Sequence, residues 1–343
     1  MVWHANSALL AILATAVSFP ACADILLKEI GSFHIGGHEA VLSGQPIKEV
    51  SFTAGMAPVK VDPNGQFEIE QMYVQYFKLA APKFRYPLLM WHGGGLTGVT
   101  WETKPDGKPG WQMFFLSRGY DLYVSDAVER GRASWARYPD FFKSEPLFRS
   151  KKEAWELFRF GPTGSYDPNP ANRRPFPDSQ FPTEALDQFA KQGVPRWVTN
   201  DAPTQAAYDQ LVERVCPCVI IVHSQGANFG FNAALRARDK IKALVALEPS
   251  GAPDPGKVDV AQLKTVPHLF VFGDHLQDSP SWQNFIKTSQ RYHVALTGAG
   301  VKSDWIDLPM LGIKGNSHMM MMDRNSDQIA ELVAKWLEQS RAD

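Results

Sequence analysis

The sequence predicts an α/β protein with a mostly parallel central sheet, helices on both faces and one irregular insertion. Three observations carry this expectation. Apolar runs at 86–91, 120–124, 219–222, 242–247, 268–272 and 305–308 are near-continuous, as strands buried on both faces must be, and helical or loop stretches separate them. Residues 326–339 place Ile329, Leu332, Val333, Trp336 and Leu337 on one helical stripe, which reads as a closing amphipathic helix. Residues 136–205 break the alternation. They hold ten of the 25 prolines together with many aromatics, among them Trp155, Phe158, Phe160, Phe181, Phe189 and Trp197. A disordered linker is poor in aromatics, so this stretch is expected to be an ordered insertion that caps a binding site. A surface excursion packed on itself is the blander alternative.

From the N-terminus, an apolar run at 8–19 precedes Ala21-Cys22-Ala23, with small residues where a signal peptidase reads. Residues 1–23 are therefore expected to be a signal peptide and 24–343 the mature domain, secreted or periplasmic. The run is too short for a comfortable membrane span, and no later segment is long and apolar enough. Short antiparallel strands are expected at 28–30, 38–42 and 67–76, the last alternating polar and apolar. Hydrophobic residues make up 44% and charged residues 21%, enough for a core that needs no metal or disulfide to hold it. A net charge of -1 with no Lys/Arg-rich run argues against nucleic acid as a partner. Cys216 and Cys218 read as two small buried residues, because a disulfide at i,i+2 spacing is strained.

The chemistry centres on Val222-His223-Ser224-Gln225-Gly226, where an apolar strand ends in a serine and small residues open a helix. This is the setting of a nucleophile elbow, although Val222 stands where G-x-S-x-G has its first glycine. The commoner role for such a serine is helix capping. A second motif, His92-Gly93-Gly94-Gly95-Leu96-Thr97-Gly98, also follows an apolar strand. Such a glycine turn lends backbone N–H groups to an oxyanion hole, here from Gly94 or Gly95, with Gln225 as the other donor. The same glycines match a dinucleotide fingerprint, with Asp126 ending the next strand. Pro105, Gly107, Pro109 and Gly110 follow where a helix should run, and about 60 residues of strand-like sequence precede it, which argues against that fold. His318, in a loop ahead of the closing helix, is the best-placed base, with His275 and His293 as weaker rivals. His92 and His223 flank the motifs and are expected to shape the site. The acid is contested between Glu248 and Asp274 or Asp278; position alone favours the latter two. The Met319 to Met322 run reads as packing.

The blocks HGGGLTG with Trp101-Glu102-Thr103, Glu129-Arg130-Gly131-Arg132-Ala133-Ser134, HSQG, LEPSG and GNSHMMMMDRN span nearly the whole mature chain. Together they resemble a small family of secreted bacterial carboxylesterases within the α/β-hydrolases, to which sulfonylurea-herbicide esterases are also similar. The resemblance implies an α/β-hydrolase fold and Glu248 as the acid partner of Ser224 and His318. Some relatives carry a Cys pair where Gly94 and Gly95 stand here, so properties tied to that pair do not transfer. The expected function is serine carboxylesterase action on a small to medium ester through an acyl-enzyme, with no metal or organic cofactor. A lactonase, amidase or lipase on the same triad, or a non-catalytic binding protein, are the alternatives. The expected partner is a small-molecule ester; oligomeric state, a homodimer included, is left open.

Overall fold

The computed structural model describes residues 24–135 and 137–340. The expected signal peptide, Cys22 included, lies outside the described residues. Ten strands and eight α-helices follow in chain order: β1 Leu27–Leu42, β2 Lys48–Val50, β3 Val59–Val61, β4 Gly65–Leu79, β5 Leu88–Trp91, α1 Val99–Glu102, α2 Trp111–Arg118, β6 Leu122–Asp126, α3 Lys151–Leu157, α4 Leu186–Ala190, α5 Asp201–Val215, β7 Cys218–His223, α6 Gly226–Arg236, β8 Ile241–Leu247, β9 His268–Phe272, α7 Pro280–Gly298, β10 Ser303–Asp307 and α8 Ser326–Gln339.

Eight strands form one sheet in the order β1-β4-β6-β5-β7-β8-β9-β10, and β2 pairs with β3 apart from it. From β6 to β10 every pairing is parallel, while β1–β4 and β4–β6 are antiparallel. Side chains of the central strands alternate between two cores, which is why those strands read as unbroken apolar runs. Val219 and Ile221 pack on one face with Phe115 of α2, Trp155 of α3, Phe189 of α4 and Val333 of α8. Cys218, Ile220 and Val222 pack on the other with Tyr208 of α5, Phe231 of α6 and Tyr292 of α7. The fold is thus the expected one, with helices on both faces of a mostly parallel sheet.

Three details differ from the sequence reading. The N-terminal strands are not short: β1 runs 16 residues and β4 15. Gly36 and Gly37 sit inside β1 at positive φ, which broke the alternation that would have revealed its length. The glycine motif does open a helix, but α1 is a single turn that ends before Pro105. Cys216 and Cys218 form a disulfide where α5 hands over to β7, with Cα atoms 4.4 Å apart, so the reading of two free buried thiols is corrected. The chain leaves α5 in an extended conformation at Cys216 (φ -77, ψ 152), and Pro217 alone separates the two bridged residues.

The insertion does not form a body of its own. Trp155, Phe158, Phe160, Phe181 and Phe189 join the same core as the sheet, with Phe160 stacked on Phe181 at 3.6 Å between ring centroids. Met319 to Met322 are fully buried in that core.

Candidate active site

The strand order reverses at β5: the chain runs outward through β6 and later returns to add β7 on the other side. The carboxyl ends of β5 and β7 therefore adjoin at a topological switch point, where open α/β sheets leave a crevice. Ser224 follows β7 and the glycine motif follows β5. Backbone ladders continue one residue past the strands: the Ser224 N–H donates to the Leu247 carbonyl at 3.0 Å and the Glu248 N–H to the Val271 carbonyl at 2.9 Å. Each residue then turns sharply, Ser224 at φ 54 and Glu248 at φ 42. Left-handed backbone at a non-glycine costs on the order of 1–3 kcal/mol and persists only where its surroundings enforce it.

The neighbours of Ser224 explain the local sequence. A Cβ on Gly226 would lie 2.6 Å from the His92 carbonyl oxygen, and one on Gly93 would lie 3.0 Å from the Ser224 Cβ. Both must be glycine for the two turns to meet. Val222 is accommodated from the helix side: a Cβ on Gly230 of α6 would sit 2.8 Å from a Val222 methyl. The glycine missing from the strand reappears on the helix that packs against it.

His318 and Glu248 are both fully buried, and the His318 Nδ1–H donates to Glu248 Oε2 at 2.7 Å. This leaves Nε2 as the ring's acceptor. Glu248 Oε1 accepts the Gly273 N–H at 2.8 Å and a bond from Arg159 Nη2. Burial pushes the Glu248 carboxyl up, and the Arg159 guanidinium and the Gly273 N–H oppose that shift. Burial holds His318 well below the usual imidazole value of 6.5, with Arg159 and Arg149 adding to it, so the ring is a neutral base at neutral pH. Ser224 and His318 line one cavity of about 300 Å³ with Gln225, Gly94 and the insertion residues Arg149, Leu157, Phe158 and Arg196.

The structure brings Glu248, not Asp274, to His318. Asp274 instead accepts backbone N–H groups from His275 at 2.7 Å and Gly315 at 2.9 Å, which ties down the loop that carries His318. His275 pairs with Asp178, and His293 bonds Ser303 on α7's side of the sheet. Asp178, Asp274 and His275 place ligand-type atoms within 4.8 Å of one another, and each has the protein partners just named. His92 donates from Nδ1 to its neighbour Gly93's carbonyl at 2.8 Å and accepts the Ala127 N–H at Nε2 at 3.0 Å, fixing the start of the glycine turn. Burial lowers its pKa to about 4, so it holds the turn as a neutral ring. The turn's far end is tied by Asp126, which accepts the Gly98 N–H and pairs with Arg132 at 2.8 Å. That carboxylate is thereby engaged, and a ribose could not have it. His223 donates from Nε2 to the His318 carbonyl at 2.9 Å. Among the described residues, no acceptor takes the backbone N–H of Gly94, Gly95 or Gln225.

Sequence reasoning missed three contributors. Arg159 comes from the insertion, donates to the Asp274 carbonyl at 2.7 Å and lies 4.7 Å over the Trp282 ring while it pairs with Glu248. Trp282, in α7, packs its ring 4.3 Å from that of His318. Asp323, fully buried, accepts from the Ser317 N–H at 2.8 Å, the Ser317 hydroxyl at 2.7 Å and Asn316 at 2.9 Å, holding the two residues ahead of His318. Asp323 stood in the GNSHMMMMDRN block; an aspartate five residues past the histidine was the available signal. Arg159 and Trp282 gave none, because both reach the site from distant parts of the sequence.

A serine at a strained strand-to-helix turn, in one cavity with the histidine of a buried Glu–His pair on such a sheet, is the arrangement expected of the α/β-hydrolase class. No family model matches the chain. The solved structure of a bacterial esterase is 35% identical to it, covers 94% of this chain and 99% of that one, and superposes with a TM-score of 0.78. The "Probable secreted lipase phiG" of Fungal sp. (strain ATCC 74256) is 27% identical over 327 residues, 80% of this chain and 87% of that protein. The chain belongs to the esterase/lipase family of α/β-hydrolases.

Proposed function

We propose that this protein is a serine carboxylesterase that works through an acyl-enzyme on Ser224. The single observation that carries the reading is the 2.7 Å bond from His318 Nδ1 to the buried Glu248, in one cavity with a serine held at φ 54. His318 Nε2 takes the Ser224 proton as Oγ bonds to the ester carbonyl carbon. The carbonyl oxygen becomes an oxyanion and meets the free N–H groups of Gln225 and of Gly94 or Gly95. The carbon–oxygen bond to the alcohol then breaks, and the alcohol leaves with the proton held by His318. Water repeats the sequence: it gives a proton to His318, bonds to the acyl carbon and releases the acid, and Ser224 regains its proton. Glu248 keeps the tautomer and balances the imidazolium; Arg159 and the Gly273 N–H hold Glu248 in turn. The insertion at 136–205 serves as the cap, because Arg149, Leu157, Phe158 and Arg196 supply one side of the cavity. Secretion after loss of residues 1–23 agrees with the secreted fungal relative; among the described residues, no helix is long and apolar enough to cross a membrane.

Hydrolysis of p-nitrophenyl esters by wild type and three variants tests this. Ser224→Ala is expected to lose about 10³–10⁶-fold in kcat and Glu248→Ala roughly 10²–10⁴-fold. Asp274→Ala is expected to stay within about tenfold of wild type, since its carboxylate bonds a loop and not the imidazole. A crippled Asp274→Ala beside an active Glu248→Ala would overturn the acid assignment.

A further inference from the structure

The esterase reading leaves one feature of the cavity unused. Two arginines, Arg149 and Arg196, line it beside Ser224, and no aspartate or glutamate does. With His318 neutral, the walls carry two positive charges and no negative one. The backbone fixes both at the rim: the Leu147 N–H donates to the Arg196 carbonyl at 2.8 Å, and the Arg196 N–H returns a 3.0 Å bond to the Leu147 carbonyl. Arg149 follows two residues later and pairs with Glu153 at 2.6 Å, lying over the Phe158 ring. Arg196 has no such partner. Its Nε is buried without a hydrogen bond, and no carboxylate lies within ion-pair distance among the described residues. Asp201 attracts it from beyond ion-pair distance and already accepts a 3.0 Å bond from Gln225. Burial is the main influence disfavouring the Arg196 charge, and Arg149 repels it as well. The guanidinium nonetheless reaches the glycine turn, where a Cβ on Gly94 would lie 3.2 Å from Nη1.

A planar five-donor cation left bare in a half-buried cavity costs free energy unless an anion completes it, and guanidinium matches a carboxylate in charge and shape. Two guanidinia that repel each other across one cavity call for the same ligand. We propose that the substrate is an anionic ester, with a carboxylate seated between Arg196 and Arg149 while Ser224 attacks the ester carbonyl. The proposal rests on the esterase reading and adds the substrate class. Leu157, Phe158, Trp282 and Phe285 give the cavity an apolar remainder for the carbon chain that joins the two groups.

The test compares matched esters that differ in one charge: mono-4-nitrophenyl adipate against 4-nitrophenyl hexanoate, with charge on the acyl side, and 4-acetoxybenzoate against 4-carbamoylphenyl acetate, with charge on the alcohol side. Wild type is expected to favour the anionic member of at least one pair by about tenfold or more in kcat/KM, and Arg196→Gln to bring that ratio near unity, mostly through KM. Arg196→Lys is expected to recover part of the ratio. A wild-type ratio below tenfold in both pairs, or an unchanged ratio in Arg196→Gln, overturns the proposal. An equal loss of kcat on both members is one form of that failure, because it would place Arg196 on the oxyanion instead. Should Arg196→Gln fail to fold, Arg149→Gln and a salt titration of wild type take its place: added NaCl is expected to raise KM for the anionic ester and not for its neutral partner, and equal responses overturn the proposal. Turnover of the neutral esters shows that the esterase reading stands even if the charge preference does not.

Discussion

Ser224 and Glu248 share one device at the scale of single residues. Each is the first residue beyond a parallel strand, each keeps one ladder bond, and each turns to positive φ so that its side chain leaves the sheet toward the crevice. The turn at Ser224, the proposed nucleophile, was legible in the sequence because that device needs small neighbours, and Gly226 displays the need. The substitution of Val222 for a glycine was not interpretable until Gly230 was seen against it. Gly226→Ala forces a Cβ onto two carbonyl oxygens, at 2.6 and 3.0 Å, and is expected to cost about 1–3 kcal/mol of stability along with most of the activity. Urea unfolding and ester turnover measure both. The His318 environment sets the pH dependence. In the proposed mechanism only the neutral imidazole accepts the Ser224 proton, so kcat/KM is expected to fall where His318 becomes protonated. Burial, Arg159 and Arg149 lower that pKa well below 6.5, hence the acid limb of kcat/KM is expected to lie below the ordinary histidine range. An acid limb centred at an ordinary histidine value would contradict this.

Elements supply what residues cannot hold alone. The loop between β10 and α8 carries His318 and is pinned from three directions: Asp323 within it, Asp274 after β9, and Phe158 of the insertion, whose carbonyl accepts the His318 N–H at 3.0 Å. Asp323→Ala removes the acceptor of three hydrogen bonds in a buried site. It is expected to cost roughly 1–3 kcal/mol, by thermal or urea unfolding, and to lower kcat more than it raises KM, because the base is displaced. Burial raises the Asp323 pKa to about 7, so the folded state holds its proton more tightly than the unfolded chain. The sign follows from linkage: this group's contribution is complete at low pH and is lost as pH rises through about 7. Asp323→Asn is therefore expected to flatten that part of the stability–pH curve. The carboxylate partner of His318 was the part of the candidate site that the residues alone left open. Position along the chain favoured Asp274, and family resemblance favoured Glu248. The geometry shows why position misled: both carboxylates end strands beside the same loop, but one faces its backbone and the other its imidazole.

At the scale of the whole molecule, the parallel sheet was legible because burial on both faces writes unbroken apolar runs, and α8 because its stripe is regular. The insertion was legible only as composition. Its prolines hide its path, and five of its aromatics, Trp155, Phe158, Phe160, Phe181 and Phe189, belong to the same core as the sheet, which no local pattern records. One shared core implies one cooperative unit. Urea unfolding followed by tryptophan fluorescence and by far-UV circular dichroism is expected to give coincident transitions, and Phe160→Ala to cost about 3–5 kcal/mol of the whole. An early separate transition for the insertion would contradict this. The arrangement also places the switch point, the glycine turn and the insertion's arginines around a single serine. The proposed chemistry therefore depends on Ser224, and covalent labelling tests it most directly. Incubation with diethyl 4-nitrophenyl phosphate, followed by peptide mass analysis, is expected to show one diethylphosphoryl group on Ser224, with activity lost in proportion. A folded protein that turns over esters while Ser224 stays unmodified would contradict it.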